Sequence, residues 1–220
     1  MNLVRDLLPD PARSDVGAVL VTQRTVGTSQ RATAQAVTAE WERTPWPEGL
    51  VSLNCYLSTD GESVLTYEQW TGEEALHAFA RARRTVGTDA AEPVEYRLYR
   101  SGSRDDAPEP GCIVIVSVEF VSPDRQRQER WVDTVFDALA AETEPRPGGI
   151  SAHFHLSVDG TRVLNYAEWT DEEAHREALE NSGQGTVGSA PEWRRVLDFP
   201  GVKDSGFKRY RFYRSLARPH

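Results

Sequence analysis

Apolar and polar positions follow two periods along this chain. In Val163–Trp169 bulky apolar side chains occur at both odd and even positions, which predicts a β-strand buried on both faces. Trp131, Val135 and Leu139 instead recur every four residues, which predicts an amphipathic helix. Extended along the sequence, these patterns predict the order strand, helix, strand, strand, helix, strand, and they predict it twice.

Turn and capping residues separate the predicted elements. The Asp-Gly pairs at 60–61 and 159–160 each stand between two strand-like runs, and this dipeptide is typical of a tight β-hairpin. After each hairpin, Thr71 or Thr170 precedes a helical pattern with a glutamate three residues later. Both threonines are therefore predicted to cap a helix N-terminus.

The chain contains an internal repeat. Leu57–Ala75 and Leu156–Ala174 align without gaps and are identical at 12 of 19 positions. "TVGT" at Thr85–Thr88 also resembles "TVGS" at Thr186–Ser189. A polar, proline-rich stretch lies between the copies. The predicted organisation is a leader, a first repeat, a linker and a second repeat, at residues 1–16, 17–101, 102–110 and 111–220.

The element order of each repeat predicts an α+β fold of two tandem ferredoxin-like β-α-β-β-α-β units. The two helices of such a unit cover one sheet face, yet the strand pattern indicates that both faces are buried. The sheet of the other repeat is the simplest cover for the second face. We therefore expect an intramolecular pseudo-dimeric α+β barrel.

Composition narrows the partners and the compartment. The formal net charge is −9 and the pI is about 5.1, which disfavours nucleic-acid binding. No run of 18 apolar residues predicts a membrane span, and the first residues lack the apolar region of a signal peptide. Cys55 and Cys112 lie at non-equivalent positions of the repeats, which favours free thiols and a cytoplasmic protein.

The sequence "NYAEWTDEEA" at Asn165–Ala174 runs from the third predicted strand into the second predicted helix. With the β-α-β-β-α-β order, it resembles the antibiotic biosynthesis monooxygenase family of dimeric α+β barrels. The resemblance extends over both repeats. It implies an enzyme: a monooxygenase without cofactor that oxidises phenolic or anthrone-type polyketides with O2 in secondary metabolism.

The same resemblance implies a catalytic group in the second repeat. An Asn followed four residues later by a Trp lines the pocket of the quinone-forming members, and Asn165 and Trp169 fit this pattern. The amide would donate to a developing oxyanion, and the indole would form a flat apolar wall. His175 is the candidate general base. The first repeat carries Thr66 in place of the asparagine, so we expect its pocket to be degenerate or differently tuned.

Six further side chains are candidates for substrate binding. They come from the two hairpins, the last strand and an insertion at Pro191–Tyr210 that only the second repeat has, which we interpret as a lid over its cavity. These candidates are Trp70, Thr66, Tyr166, His155, Arg211 and Trp193.

Other functions stay open at this stage. A non-catalytic binding or scaffold protein, or a cyclase helper, would use the same cavity. Haem-degrading relatives carry an iron-ligating His on the second helix, but His77 and His175 occupy different registers. His153 and His155 share a strand face without a third ligand, so no metal site is predicted. The expected partners are a small aromatic substrate and O2, with no cofactor, nucleic acid or membrane, and a homodimer is left open.

Overall fold

The computed structural model of the protein describes residues 3–27, 29–83, 92–106, 108–143 and 147–218. The repeated "TVGT" stretch at 85–88 lies outside these residues. The strands are β1 Val4–Arg5, β2 Ala18–Thr25, β3 Leu50–Ser58, β4 Ser63–Trp70, β5 Val94–Ser103, β6 Cys112–Phe120, β7 Gly149–Ser157, β8 Arg162–Trp169 and β9 Val202–Ala217. The helices are α1 Gln30–Arg43, α2 Glu73–Arg83, α3 Arg125–Ala141, α4 Glu172–Ser182 and α5 Trp193–Leu197.

The chain forms two compact units that do not coincide with the two sequence repeats. Unit 1 contains residues 1–98 and 210–220, and unit 2 contains residues 99–209. The chain therefore passes from one unit to the other within β5 and again within β9. Residues 102 and 103, which begin the predicted linker, belong to β5.

Each unit is an α+β unit of the ferredoxin-like type. In unit 1 the strand order is β1, β9, β3, β4, β2, β5, and in unit 2 it is β5, β7, β8, β6, β9. The strands of the hairpins β3–β4 and β7–β8 are antiparallel. The second strand of each hairpin also pairs with the first strand of its repeat, β4 with β2 and β8 with β6, and these pairs are antiparallel too. The predicted α+β class and element order are confirmed. The leader contributes β1, which pairs with β9 at Leu216 and Ala217.

The Asp-Gly turns form as predicted, and a glutamine fixes each of them to a helix. The amide nitrogen of Gln128 in α3 donates to the carbonyl oxygens of Ser157 and Arg162 at 3.2 and 2.7 Å. Gln30 in α1 makes the same pair of contacts with Ser58 and Ser63 in unit 1. The repeated contact shows that Gln30 and Gln128 are equivalent.

The cap of α4 differs from the prediction by one residue. Asp171, rather than Thr170, accepts the hydrogen bond from the Ala174 backbone N–H at 2.9 Å. The Thr170 hydroxyl donates to the Asp171 carboxylate instead, at 3.1 Å. An aspartate next to the threonine is an equally good cap, and its charge also favours the helix N-terminus.

The central strands are buried on both faces, as the strand pattern predicted. On β8, Val163 and Trp169 are buried on one face, and Leu164 and Tyr166 on the other. Among the described residues, no helix is long and apolar enough to cross a membrane.

In each repeat, a glycine in the left-handed conformation packs closely against the second helix. Gly148 has a φ of 76°, and a Cβ atom placed there would lie 2.3 Å from the Ala174 Cβ atom. Gly49 has the same conformation and the same contact in unit 1, with Ala75. These two positions therefore require glycine for both backbone and space.

We expect Gly148→Ala to lower the free energy of unfolding by about 2 kcal/mol or more, because it adds a steric clash to the backbone strain. Gly183→Ala is the matched control: its φ is 66°, but no atom lies within 4 Å of the added Cβ position. Urea unfolding of both variants measures the difference. Equal losses of about 1–2 kcal/mol in both variants, the cost of the left-handed conformation alone, would contradict the packing argument.

Candidate functional site

Asn165 and Trp169 lie on the same face of β8, as the strand parity predicted. Their cross-strand neighbours on β6 are Val116 for Asn165 and Cys112 for Trp169. Residues directly opposite each other on neighbouring strands share a face. Phe154 of β7 lies opposite Asn165 on the other side and belongs to this face too.

This face of the unit 2 sheet is covered by helices. Trp169 packs in a cluster with Ala174 and Ala178 of α4, and Phe154 packs in a second cluster with α3. Val187, in the loop after α4, contacts both clusters. Asn165 therefore lies on the strand face between two apolar clusters, where an amide is unusual.

The side-chain oxygen of Asn165 has no hydrogen-bond partner. Its Oδ1 atom is buried and unpaired among the described residues, although the residue as a whole is partly exposed. A buried polar atom without a partner costs about 1–3 kcal/mol. Such an atom is a place where a ligand hydroxyl could supply the missing hydrogen bond.

Trp169 belongs to a group of three contacting rings, and the third ring, Phe207, comes from the insertion. The His175 ring meets the Trp169 ring edge to face at a centroid distance of 4.9 Å, and it meets the Phe207 ring edge to face at 5.1 Å. His175 is 2% exposed, whereas Phe207 is 42% exposed. A half-exposed aromatic ring thus borders the buried imidazole.

Arg209 holds the His175 ring in one protonation state. Its Nε–H donates to His175 Nδ1 at 2.9 Å, and its guanidinium lies 5.0 Å from the centre of the Phe207 ring. Burial and the charge of Arg209 lower the pKa of His175 to about 4. The neutral ring must then carry its proton on Nε2, because Nδ1 accepts a hydrogen bond. His175 is therefore arranged as a hydrogen-bond donor at neutral pH, which differs from the general-base role expected from the sequence.

Tyr166 and His155 do not join this group. Tyr166 is an even-numbered neighbour of Asn165 and points to the opposite sheet face, where His153 of β7 lies across from it. His155 lies across from Leu164 on that same face and is fully buried. Burial lowers the pKa of His155 to about 3, so it is neutral at pH 7.

Trp193 belongs to the core of unit 2. It is 5% exposed, packs with Trp131 and Val135 of α3, and donates from its indole nitrogen to Glu142 at 2.7 Å. The insertion that carries it is thus anchored at α5. Phe207, further along the insertion, is the aromatic residue that reaches His175.

The arginine next to the predicted catalytic group is Arg209, not Arg211. Arg211 lies in the part of β9 that belongs to unit 1, where it pairs with Leu57 of β3. The two arginines are two residues apart, and the boundary between the units falls between them. In the sequence, Arg211 aligns with Arg97 of the first repeat and Arg209 aligns with Glu95, so the repeat pointed to Arg211 rather than to Arg209.

Trp70 and Thr66 occupy the equivalent positions in unit 1. Trp70 is fully buried and packs with Leu76 and Phe79 of α2. Thr66 is 2% exposed, and its hydroxyl oxygen, like the Asn165 oxygen, has no hydrogen-bond partner among the described residues.

The histidines considered for haem or metal are engaged with protein groups. His77 is exposed, and its Nε2 lies 2.7 Å from a Glu95 carboxylate oxygen. His153 Nδ1 lies 2.9 Å from the Ser101 hydroxyl, and His155 Nδ1 lies 2.9 Å from the His153 carbonyl oxygen. Within the described ranges, no three metal-ligating side chains come together.

An open depression of about 590 Å³ lies elsewhere on unit 1, between the start of α2 and Arg97 of β5. None of the candidate residues lines it.

Comparison with known sequences supports the resemblance in the second repeat. Residues 112–187 match the sequence profile of the family described as antibiotic biosynthesis monooxygenase. A stretch of 70 residues, 30% of this chain, is 41% identical to tetracenomycin-F1 monooxygenase of Streptomyces glaucescens. The match spans 57% of that protein, so the chain covers little more than half of this curated relative.

Solved structures match this chain over nearly its whole length. The crystal structure of an anthrone oxidase-like protein matches with a TM-score of 0.70 at 17% identity, over 94% of this chain and 95% of that one. A monooxygenase-like protein from Listeria innocua matches with a TM-score of 0.50 at 14% identity, over 90% and 95% of the two chains. At these identities the likeness establishes the fold.

The buried neutral His175 makes a testable contribution to the pH dependence of stability. Its pKa is about 4 in the folded protein against an ordinary value of 6.5, so between these pH values only the unfolded chain takes up the proton. Stability from this group is present above pH 6.5 and is lost as the pH falls toward 4. Urea unfolding should therefore show a drop from pH 7.5 to 4.5 that is larger in the wild type than in His175→Gln, by roughly 2 kcal/mol.

Glutamine can still accept the Arg209 hydrogen bond but cannot titrate, and all other groups cancel in the comparison. Parallel curves for the two proteins would contradict the assignment of a neutral, buried His175.

Proposed function

We propose that this protein, whose residues 112–187 match the sequence profile of the antibiotic biosynthesis monooxygenase family, is a monooxygenase that uses O2 to oxidise a phenolic or anthrone-type polycyclic substrate. The proposed reaction needs no flavin, haem or metal. The relative named tetracenomycin-F1 monooxygenase and the anthrone oxidase-like structure support this substrate class. The proposed site lies in unit 2, between the sheet and α4.

The unpaired oxygen of Asn165 is the observation that carries the proposal. This oxygen lies within residues 112–187, which match the family profile, and on the helix-facing sheet face that also holds Trp169. A substrate hydroxyl that donates to this oxygen would remove the cost of leaving it unpaired. The Asn165 amide nitrogen would in turn donate to the oxygen that becomes negatively charged.

The proposed reaction balances in atoms and electrons. A ring methylene and O2 give a ring carbonyl and water, so the carbon loses two hydrogens and gains one oxygen while O2 takes up four electrons. An ionised phenol is electron-rich enough to pass the first electron directly to O2. The phenolic proton goes to solvent, since His175 is arranged as a donor.

The side chains around the substrate would then act by positioning and by charge. The Trp169 and Phe207 rings would offer flat apolar surfaces to a fused-ring substrate. The Arg209 guanidinium would favour ionisation of the phenol, because a nearby positive charge lowers the pKa of an acid. His175, held by Arg209, would present its Nε2–H to a substrate oxygen.

Several more detailed expectations about assembly, substrate binding and location remain predictions made from the sequence. They are the closure of the two repeats into one pseudo-dimeric barrel, the roles of Trp70, Thr66, Tyr166, His155, Arg211 and Trp193 in substrate binding, the homodimer, and the cytoplasmic location.

Oxygen uptake with 1,8-dihydroxy-9-anthrone, using protein stripped of metal and flavin, tests the proposal. We expect one O2 consumed for each anthraquinone formed, and a turnover at least about tenfold lower in Asn165→Ala, because one oxyanion donor is lost. Thr66→Ala, the equivalent change in the first repeat, should cause a smaller loss.

Asn181→Ala, which removes the same side chain from an exposed position of α4, is the control and should keep wild-type turnover. Equal turnover of the Asn165 and Asn181 variants would refute the proposed role of Asn165. Absence of O2 uptake with the wild type would refute the oxygenase itself.

A further inference from the structure

The leader crosses the sheet of unit 1. β1 pairs with the end of β9, and Asp10 then reaches β4, where its carbonyl oxygen accepts a hydrogen bond from Gln69 Nε2 at 2.8 Å. Since β3 lies between β9 and β4 in the sheet, residues 4–10 pass over β3. We call residues 4–10 the strap.

The strap lies on the sheet face that is turned away from the helices. On β3, Leu53 and Cys55 pack in clusters with residues of α2 and α1, so both point toward the helices. Asn54 stands between them and points to the opposite face. Ser215 of β9 lies across from Asn54 and shares that face. The side chains that bind the strap therefore come from the face without helices.

A chain of hydrogen bonds between buried side chains ends at the strap. Asn54 Nδ2 donates to the Ser52 hydroxyl at 2.8 Å, and this hydroxyl donates to Gln69 Oε1 at 2.7 Å. The Gln69 amide nitrogen is thereby turned toward Asp10. Asn54, Ser52 and Gln69 are all buried. The Asp10 carbonyl thus completes a buried polar network.

Ser215 holds the strap at a second point. Its hydroxyl donates to the Leu7 carbonyl oxygen at 2.6 Å and accepts from the Leu7 N–H at 3.0 Å. The Asp6 N–H donates to the Ser215 carbonyl oxygen at 3.2 Å. The Leu7 side chain itself is 58% exposed, so it contributes little apolar burial. Polar contacts therefore hold this part of the strap.

The strap is strained where it turns. Asp6 has a φ of 56° and is the only residue other than glycine with a positive φ in the described part of the chain. Aspartate tolerates this left-handed conformation better than most residues do, but the conformation still costs free energy. It persists where neighbouring contacts hold it. Release of the strap would therefore relax Asp6.

Asn54 offers Ser215 a different partner. The Asn54 Oδ1 atom is buried and has no hydrogen-bond partner among the described residues, which costs free energy. Ser215 lies directly across from Asn54 on β9, and side chains in such pairs are within reach of each other. A hydroxyl has one proton to donate, and this one is donated to Leu7. Ser215 can therefore satisfy the strap or Asn54, but not both.

The equivalent serine of unit 2 has the other kind of partner. Ser101 corresponds to Ser215, because each ends a Tyr-Arg-Ser run. His153 corresponds to Asn54, because each lies across from the repeated tyrosine of its hairpin. Ser101 Oγ lies 2.9 Å from His153 Nδ1. The repeated serine thus binds the strap in unit 1 and pairs across the sheet in unit 2.

We propose that the strap is a detachable cover of unit 1 and that Ser215 is its latch. In the closed state the Ser215 hydroxyl binds Leu7. In the open state the hydroxyl turns to Asn54 Oδ1, and the strain at Asp6 relaxes. Opening therefore exchanges one hydrogen bond for another, so the strap opens while the sheet stays folded. This device is separate from the proposed oxygenase site in unit 2 and does not depend on it.

Amide hydrogen exchange of the full-length protein, followed by NMR, measures the opening. The Asp6 and Leu7 N–H groups both donate to Ser215. We expect them to exchange through one common opening, with equal protection that is at least about tenfold lower than that of the β3–β4 amides. Protection equal to that of the β3–β4 amides would mean that the strap opens only with the whole fold, and it would overturn the proposal.

Ser215→Ala removes the latch hydroxyl but keeps the carbonyl that binds the Asp6 N–H. Because two hydrogen bonds to Leu7 are lost, the Asp6 amide should exchange about tenfold faster, a larger change than at the β3–β4 amides. Ser101→Ala removes the equivalent hydroxyl of unit 2 and should leave exchange at Asp6 unchanged. An Asp6 rate that does not respond to Ser215→Ala would refute the latch.

Asn54→Ala distinguishes a latch with two partners from a simple clamp. The variant lacks Oδ1, so the open state loses its hydrogen bond and Asp6 should exchange severalfold more slowly, although the β3–β4 amides lose protection. A simple clamp predicts faster or unchanged exchange at Asp6, and that result would refute the role of Asn54. Ser215→Ala keeps the latch testable if Asn54→Ala does not fold.

Discussion

A buried amide oxygen without a hydrogen-bond partner is the feature on which the functional account depends. The strand register places Asn165 on the helix-facing side of β8, between two apolar clusters. Packing on both sides keeps its Oδ1 from water, and no described protein group replaces the lost hydrogen bond. The fold bears this cost on a sheet face that is otherwise apolar, and a ligand hydroxyl bound there would remove it.

The two repeats retain one scaffold and differ in the layer between sheet and helices. The glutamines that hold the hairpins, Gln30 and Gln128, make equivalent contacts, and the left-handed glycines at 49 and 148 make equivalent close approaches. These features fix where the second helix lies. Between them, unit 2 presents an amide beside aromatic rings, whereas unit 1 presents the Glu68 carboxyl and the Thr66 hydroxyl. The equivalent places of the two repeats therefore differ in the polar groups that they carry.

Much of this architecture could be predicted from the sequence, because it depends on local patterns. Alternation, the Asp-Gly turns and the repeat predict the strands, the hairpins and the common face of Asn165 and Trp169. The same parity already placed Tyr166 on the opposite face, a signal that the site prediction did not use. The cap at Asp171 instead of Thr170 is a difference of one residue between two good caps.

Long-range features could not be predicted in this way. Arg209 donates to His175 across 34 positions of sequence, and the repeat aligns it with Glu95, so no sequence pattern marked it. Trp193 is a core residue because Glu142 accepts its indole hydrogen bond, a contact across 51 positions of sequence. Ser215 binds Leu7 across 208 positions of sequence, so no local pattern marked the strap.

A crystal structure with bound 1,8-dihydroxyanthraquinone tests the central claim most directly. The account predicts a quinone or phenol oxygen within about 3.2 Å of the Asn165 side-chain amide, with the ring system against Trp169. A quinone bound elsewhere, with the Asn165 oxygen still unpaired or bonded only to water, would contradict it.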